Sequence, residues 1–345
     1  MIHVQDIVKR YGATVAVDHV SFDVAEGEIL GFLGPNGAGK STTLKIVTSY
    51  IVADSGTVSI GGVDPLTDPQ EVRRQIGYLP ESTPLYTDMQ VGEYLKFVAG
   101  LRSITGARAR QAIDRVVGTV GIERMFCKAI GHLSKGYRQR VGIAQSLIHD
   151  PPIIIMDEPT SGLDPHQIIE IRELIRVLGR TKLVILSSHI LQEISAIGTR
   201  ILIIKDGRIV ADDHPDTMRA AALGKTVFAA RVKGATADVS DTLLGVEGIQ
   251  SVTPGDHAEE FRIVGGEDAD LGARIFRVAV DKGWTLSSLS PREHSLEEVY
   301  LSLTAGGSSP SRILSTSEGS SGTEGSSGTP ASDSAAADDS TRAAS

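Results

Sequence analysis

Apolar and polar positions alternate at the start of the chain, in Ile2-His3-Val4 and again in Val20-Ser21-Phe22-Asp23-Val24. A period of two puts every second side chain on one face, so residues 1–33 are expected to hold antiparallel strands with one buried side. Other apolar stretches do not alternate. Glu28 to Leu33, Ile153 to Met156 and Lys182 to Ser187 are short and apolar, as strands buried on both faces of a parallel sheet are. Asp54 to Gly62 reads as turn, strand, turn; Arg73 to Pro80 as a helix end entering a strand; Arg200 to Val210 as a hairpin about Asp206-Gly207. Between 88 and 130 the spacing is helical, over Val91–Leu101 and Arg108–Val120, and a further helix is expected from Ser134 to about His149. These give a helical subdomain of about 88–150. Pro165 suits the start of a helix that runs to about Leu178. From 226 the pattern restarts as βαββαβ, a ferredoxin-like order, closed by a helix over Ser295 to Leu303. After Ala305 the chain is Ser, Gly, Thr, Ala and Asp, with Glu318–Thr323 repeated as Glu324–Thr329. Too few apolar groups remain there to offset ordering entropy, so 305–345 is expected to be disordered. The expected division is 1–220, 226–303 and 305–345.

One stretch carries specific chemistry. Gly34-Pro35-Asn36-Gly37-Ala38-Gly39-Lys40-Ser41-Thr42 fits G-x-x-x-x-G-K-[ST], between a predicted strand and a predicted helix from Thr42 to Tyr50. The glycines let backbone N–H groups cup phosphate oxygens, and the helix N-terminus adds positive potential. Lys40 would reach the terminal phosphates and Ser41 would hold Mg²⁺. A chance match occurs in about one chain in a hundred of this length, and the correct flanks make chance rarer still.

Other candidates lie at predicted strand ends. Asp157 and Glu158 close the strand after Pro151-Pro152, where a parallel sheet binds ligands. Ser188 and His189 follow the next strand, and Glu81 follows another. Taken alone, the carboxylate pair could be a solvated turn, His189 a structural histidine, and Ser134 no more than a helix cap. Tyr11, beside Gly12, either packs or offers a flat ring to a base.

Composition narrows the partners. The net charge of −9 and the lack of a Lys/Arg run argue against a nucleic-acid groove. The 345 residues are enough for two domains and a substantial core, and hydrophobic residues at 41% and charged residues at 22% are ordinary for a globular protein. The N-terminus has no apolar core of a signal peptide, and no apolar run approaches the ~18 residues of a membrane span. The expected location is therefore cytoplasmic. Cys127, the single cysteine, is expected to be a buried inert thiol. His257 and His294 lack metal-ligand spacing and are expected at the surface.

Leu133-Ser134-Lys135-Gly136-Tyr137-Arg138-Gln139-Arg140, followed by Ile153 to Pro165 with its Met156-Asp157-Glu158-Pro159-Thr160-Ser161-Gly162-Leu163-Asp164 core, resembles the ATP-binding subunit of an ABC transporter over roughly residues 2–220. The resemblance implies a P-loop NTPase of the ABC ATPase type: α/β, with a mixed sheet, an antiparallel β subdomain and a helical insertion. It implies Tyr11 stacking on adenine, Gly34–Thr42 cradling the phosphates of ATP, and Ser41 and Asp157 at Mg²⁺. Glu158 would polarise the attacking water and His189 would contact the γ-phosphate. Ser134, Lys135, Gly136 and Gln139 would meet ATP held by a second copy of the chain, with Asp164 at the same interface. The family usually has glutamine where Glu81 stands. Gly77-Tyr78-Leu79-Pro80-Glu81 resembles the ABC-2-type and gliding-motility exporter ATPases, as does region 226–303, and Glu81 is expected to ligate Mg²⁺ and couple hydrolysis to the membrane partner. The implied protein is an ATPase that drives a separate ABC-2-type permease from the inner face of the cell membrane. Two readings stand against it. A soluble ABC ATPase acting on ribosomes or DNA usually has two cassettes or a long coiled-coil insertion. A non-hydrolysing nucleotide sensor would not need both Glu158 and His189.

Overall fold

The alternating residues form a longer hairpin than their period suggests. β1 (Ile2–Tyr11) and β2 (Thr14–Val24) pair along almost their whole length, and β4 (Ser55–Ile60) adds to the other edge of β1 in the order β2-β1-β4. Asp6 and His19 adopt positive φ, 52° and 54°, beside shifts in the pairing register. Such bulges reset which face a side chain occupies, so alternation read from sequence stops short of them. Tyr11 is therefore the last residue of β1, paired with Thr14. The computed structural model describes residues 1–222, 225–233, 239–255, 257, 259–266, 270–292, 296, 297, 299 and 300.

The central sheet contains β3 (Ile29–Leu33), β5 (Ile76–Leu79), β6 (Ile153–Asp157), β7 (Leu183–Ser188), β8 (Arg200–Lys205) and β9 (Arg208–Asp213). Their order is β5-β6-β7-β3-β8-β9, parallel except for β9 against β8. The apolar sequence of β3, β6 and β7 follows from burial on both faces. Leu30, Phe32, Ile155 and Ile185 face the hairpin sheet and α1 (Lys40–Val47). Leu33, Ile154, Met156 and Leu186 face the helical side. There α3 (Val91–Leu101), α4 (Gly106–Val120), α5 (Lys135–Leu147) and α6 (Pro165–Gly179) supply the opposing apolar faces. Shorter helices are α2 (Pro69–Gln75), α7 (Leu191–Ser195) and α8 (Pro215–Ala222). α7, of five residues, is too short to show a helical period in sequence.

The C-terminal region comprises β10 (Lys225–Lys233), α9 (Val239–Leu244), β11 (Ile249–Pro254), β12 (Glu260–Gly266), α10 (Leu271–Asp281) and β13 (Thr285–Arg292). Its sheet order is β11-β12-β10-β13 with every neighbour antiparallel, the ferredoxin-like arrangement, over a core including Val232, Leu243, Ile263 and Ile275. Of the helix expected over Ser295 to Leu303, only Leu296, Glu297, Val299 and Tyr300 are described, and Leu296 packs into the helical-side core. The tail and His294 lie outside the described residues; His257 is exposed, as expected. Among the described residues no helix is long and apolar enough to cross a membrane.

Cys127 is exposed, not buried. Its neighbour Phe126 takes the packing position: a Cβ on Gly92 would fall 2.5 Å from the Phe126 ring.

Candidate active site

The glycine loop enters α1 through a residue that only glycine can supply. Gly39 has φ 105°, and a Cβ there would stand 2.4 Å from the Ala16 carbonyl oxygen of β2. A Cβ on Gly34 would meet the Ile204 carbonyl oxygen of β8 at 2.4 Å. The loop is thus pinched between the hairpin and the sheet. No acidic side chain lies in the first turn of α1, leaving its positive end uncompensated. Ser41 and Thr42 are half-buried on that turn, following Lys40. The Lys40 amine is 6% exposed and folds over the loop, donating to the carbonyls of Gly34 (2.7 Å) and Pro35 (3.3 Å).

The sheet register brings the remaining candidates to the same edge. Leu79 pairs with Met156, Asp157 with Ser187, and Ser188 with Leu33. Glu81, Asp157-Glu158, His189 and Gly34 therefore emerge in a row from the carboxyl ends of β5, β6, β7 and β3. Glu158 is 7% exposed, with Oε1 3.5 Å from Lys40 Nζ and Oε2 2.9 Å from His189 Nδ1. An ionised carboxylate only accepts, so Nδ1 carries the proton in that bond. Burial of an unpaired carboxylate is costly, and two nitrogen partners offset it here. The Glu158 backbone sits at φ 50°, a left-handed conformation that a residue with a Cβ adopts at a cost. Ser187 Oγ holds it there: it accepts from Glu158 N (3.0 Å) and donates to Asp157 Oδ1 (2.6 Å). Burial, with smaller contributions from the nearby Asp157, Tyr50 and Glu81, pushes the Tyr78 phenol above its usual range.

The second group of candidates is assembled elsewhere. Ser134 caps α5, its Oγ accepting from Tyr137 N at 3.4 Å, and Asp164 caps α6, its Oδ1 accepting from Gln167 N at 2.9 Å. These two helix starts are neighbours. A Cβ on Gly136 would fall 2.5 Å from Gln167 Cδ, and one on Gly162 would fall 2.1 Å from Lys135 Nζ. Ser134 and Lys135 are exposed, while Gln139 is buried with its Oε1 accepting from Thr83 Oγ1 at 3.2 Å. Gln139 thus faces inward, toward the segment after Glu81. Among the described residues, none of the bonds of Ser134, Lys135 or Asp164 reaches Gly34–Thr42, Asp157, Glu158 or His189. Tyr11 is 52% exposed at the hairpin tip, with Lys9 Nζ 5.9 Å from its ring centroid.

Sequence reading placed Ser188 at a strand end without a role and missed Ser187, Thr160 and Glu193; all four brace the strand ends. Thr160 Oγ1 and Ser188 Oγ both donate to the buried Glu193 carboxylate. The available signal was the two adjacent serines before His189 and an acid one helical turn beyond it.

Residues 17–161 match the family model described as ABC transporter. The chain is 38% identical over 219 residues to the bacitracin transport ATP-binding protein of Bacillus licheniformis, across 62% of this chain and 71% of that protein. It belongs to the ABC transporter ATP-binding family. Its likeness to the linearmycin resistance ATP-binding protein of Bacillus subtilis (strain 168) is 29% over 305 residues, 88% of this chain and 98% of that relative. That alignment takes in the C-terminal region as well as the ABC cassette. Among solved structures, an ATP-binding subunit of an ABC transporter matches with TM-score 0.59 and 30% identity, over 64% of this chain and 93% of the other. A dimeric bacterial ABC transporter cassette matches with TM-score 0.57 and 27% identity, over 62% and 98%. The same type of cassette is known in a post-hydrolysis state bound to ADP and Pi (TM-score 0.57, 26% identity, over 62% and 98%). This ABC protein is accordingly an ATP-binding ATPase subunit.

Proposed function

We propose that this ABC ATPase dimerises on ATP and drives a separate ABC-2-type membrane permease, as the motor of an exporter. The observation that carries the proposal is the division of the site. The Gly34–Thr42 loop, Asp157, Glu158 and His189 form one cluster around the buried Lys40–Glu158 pair, whereas Ser134 and Asp164 head two adjacent helix starts outside it. A second copy brings its α5 N-terminus to the nucleotide held by the first, and two ATP molecules are sandwiched between the copies. Relatives named for bacitracin transport and linearmycin resistance favour the exporter reading.

In this scheme Lys40 exchanges the Gly34 and Pro35 carbonyls for phosphate oxygens, while backbone N–H groups of Gly37–Thr42 line the cup. Tyr11 stacks on the base. Glu158 accepts a proton from the attacking water and His189 orients Glu158 and the γ-phosphate. Mg²⁺ favours hard oxygens and retains few protein ligands. The Ser41 hydroxyl, Asp157 and Glu81 are such a set. Asp157 Oδ1 is engaged by Ser187, leaving Oδ2 to face a metal. These residues would hold a Mg²⁺ that would supply neutralising charge to the phosphates.

A groove of about 740 Å³ beside the Glu81 segment fits a permease segment. Tyr50, Tyr86, Phe97 and Leu101 line it and are exposed, with Arg73 and Arg102. The domain division at 220–226 and the place at the cytoplasmic face, held by the permease, belong to the same proposal. Light scattering of Glu158→Gln with ATP tests dimerisation: a mass that doubles with ATP and not ADP is expected, and a monomer under both would sink it. Leu101→Asp should keep ATPase activity and lose ATP-independent association with membranes that hold the permease.

A further inference from the structure

Glu193 stands apart from the family motifs, yet it is a carboxylate only 5% exposed. Its Oε2 accepts from Thr160 Oγ1 and from Ser188 Oγ, the latter at 2.9 Å. Thr160 lies two residues after Glu158, and Ser188 immediately precedes His189. Ser188 Oγ also accepts from Ile190 N at 3.0 Å, so the chain on both sides of His189 is tied to the same acid. Both loops that carry the hydrolytic pair are therefore anchored on one oxygen atom. Neutral hydroxyls are weak compensation for a buried charge, and an apolar side chain with apolar neighbours would fill this space at lower cost.

We infer that Glu193 is a positioning residue for hydrolysis: it holds the Glu158 and His189 loops at their mutual distance so that the carboxylate meets the attacking water. The geometry supports this in a second way. Glu158 is held at φ 50° from the strand side by Ser187, and the turn that follows it is closed by Ser161 N donating to Glu158 O at 3.1 Å. Thr160 sits in that turn, so releasing it lets the turn relax and Glu158 leave the left-handed conformation. A carboxylate displaced by about 1 Å loses on the order of a hundredfold in rate without any change in nucleotide affinity.

The competing reading is that Glu193 merely caps the start of α7 and braces the fold. The inference rests on Glu158 and His189 as the hydrolytic pair, so Glu158→Gln is measured alongside; if that variant hydrolyses ATP at the normal rate, the pair itself is misassigned. With the full chain and Mg-ATP, Glu193→Ala should lower kcat at least about tenfold while KM for ATP stays within twofold. Glu193→Gln keeps an acceptor oxygen for both hydroxyls and should recover most of kcat. Equal kcat for Glu193→Ala and the parent chain overturns the inference. So does a fall in kcat that Glu193→Gln fails to recover and that tracks the loss of folded protein seen in thermal unfolding. If Glu193→Ala does not fold, Thr160→Val removes one of the two donors at the rim, and the same split between kcat and KM decides.

Discussion

The two groups of site residues differ in how they are held. Lys40, Asp157 and Glu158 are nearly inaccessible, and each is bonded to a group from another element. Ser134 and Asp164 cap helices and are bonded within their own first turns. Buried charges must be compensated inside the subunit or they would not stay charged. Exposed helix caps are already satisfied, and their N-terminal potential is free to act on something outside. The difference separates the half of the site that one chain completes by itself from the half that, in the proposed dimer, a second copy would use.

The strongest way to break this comparison is Glu158→Gln. It removes the proposed proton acceptor but keeps the shape, so hydrolysis should drop by roughly a hundredfold or more while ATP still binds. Phosphate release and nucleotide titration separate the two; near-normal turnover would move the chemistry away from the buried group. Ser134→Ala probes the displayed half. It should cost about 1 kcal/mol of stability as a lost cap, read by urea unfolding, yet lower ATP-dependent dimerisation and hydrolysis about tenfold. If ATPase activity falls only in proportion to stability, Ser134 is a cap and nothing more.

A third test concerns the far end of α5. His149 follows that helix and its Nε2 donates to the Ile76 carbonyl oxygen at 3.1 Å. Burial, assisted by the Arg102 charge, pulls its pKa down from 6.5 to about 4. Above pH 6.5 both folded and unfolded chains hold it neutral, and its contribution is intact. Between pH 6.5 and 4 the unfolded chain takes the proton first, so stability is lost as pH falls. Allowing for solvent screening, the loss should be roughly 1–2 kcal/mol, and His149→Gln should flatten it in urea titrations at pH 4.5 and 7.5. The smallest effect is expected from Tyr11→Phe, which keeps a ring for stacking and should leave ATP affinity within twofold. Tyr11→Ala should weaken it by roughly 1 kcal/mol or more, measured by calorimetry.

Much of this architecture is legible in the residues. Strands buried on two faces cannot alternate, and helices with an apolar stripe must repeat at their own period, so β3, β6, β7, α3 and the C-terminal βαββαβ order follow from local pattern. The Gly34–Thr42 loop is equally legible, because only glycine tolerates both the backbone at Gly39 and the approach of Ala16. Cys127 was misjudged because a neighbour, Phe126, occupied the cavity, and burial is a competition that a single residue type does not reveal.

Tertiary structure alone decided which side chains meet. Ser187 lies 30 residues from Asp157 and Glu193 lies 33 from Thr160, and no spacing rule predicts that Ser187 would hold Glu158 or that one carboxylate would collect Thr160 and Ser188. Those contacts arise from the parallel register of β6 and β7, which is set by the whole sheet. Local sequence thus determined what each segment is and which chemistry it carries. The packing of strands beside one another determined which of those groups share a proton, a charge or a hydroxyl, because hydrogen bonds act over about 3 Å and only the fold sets that distance.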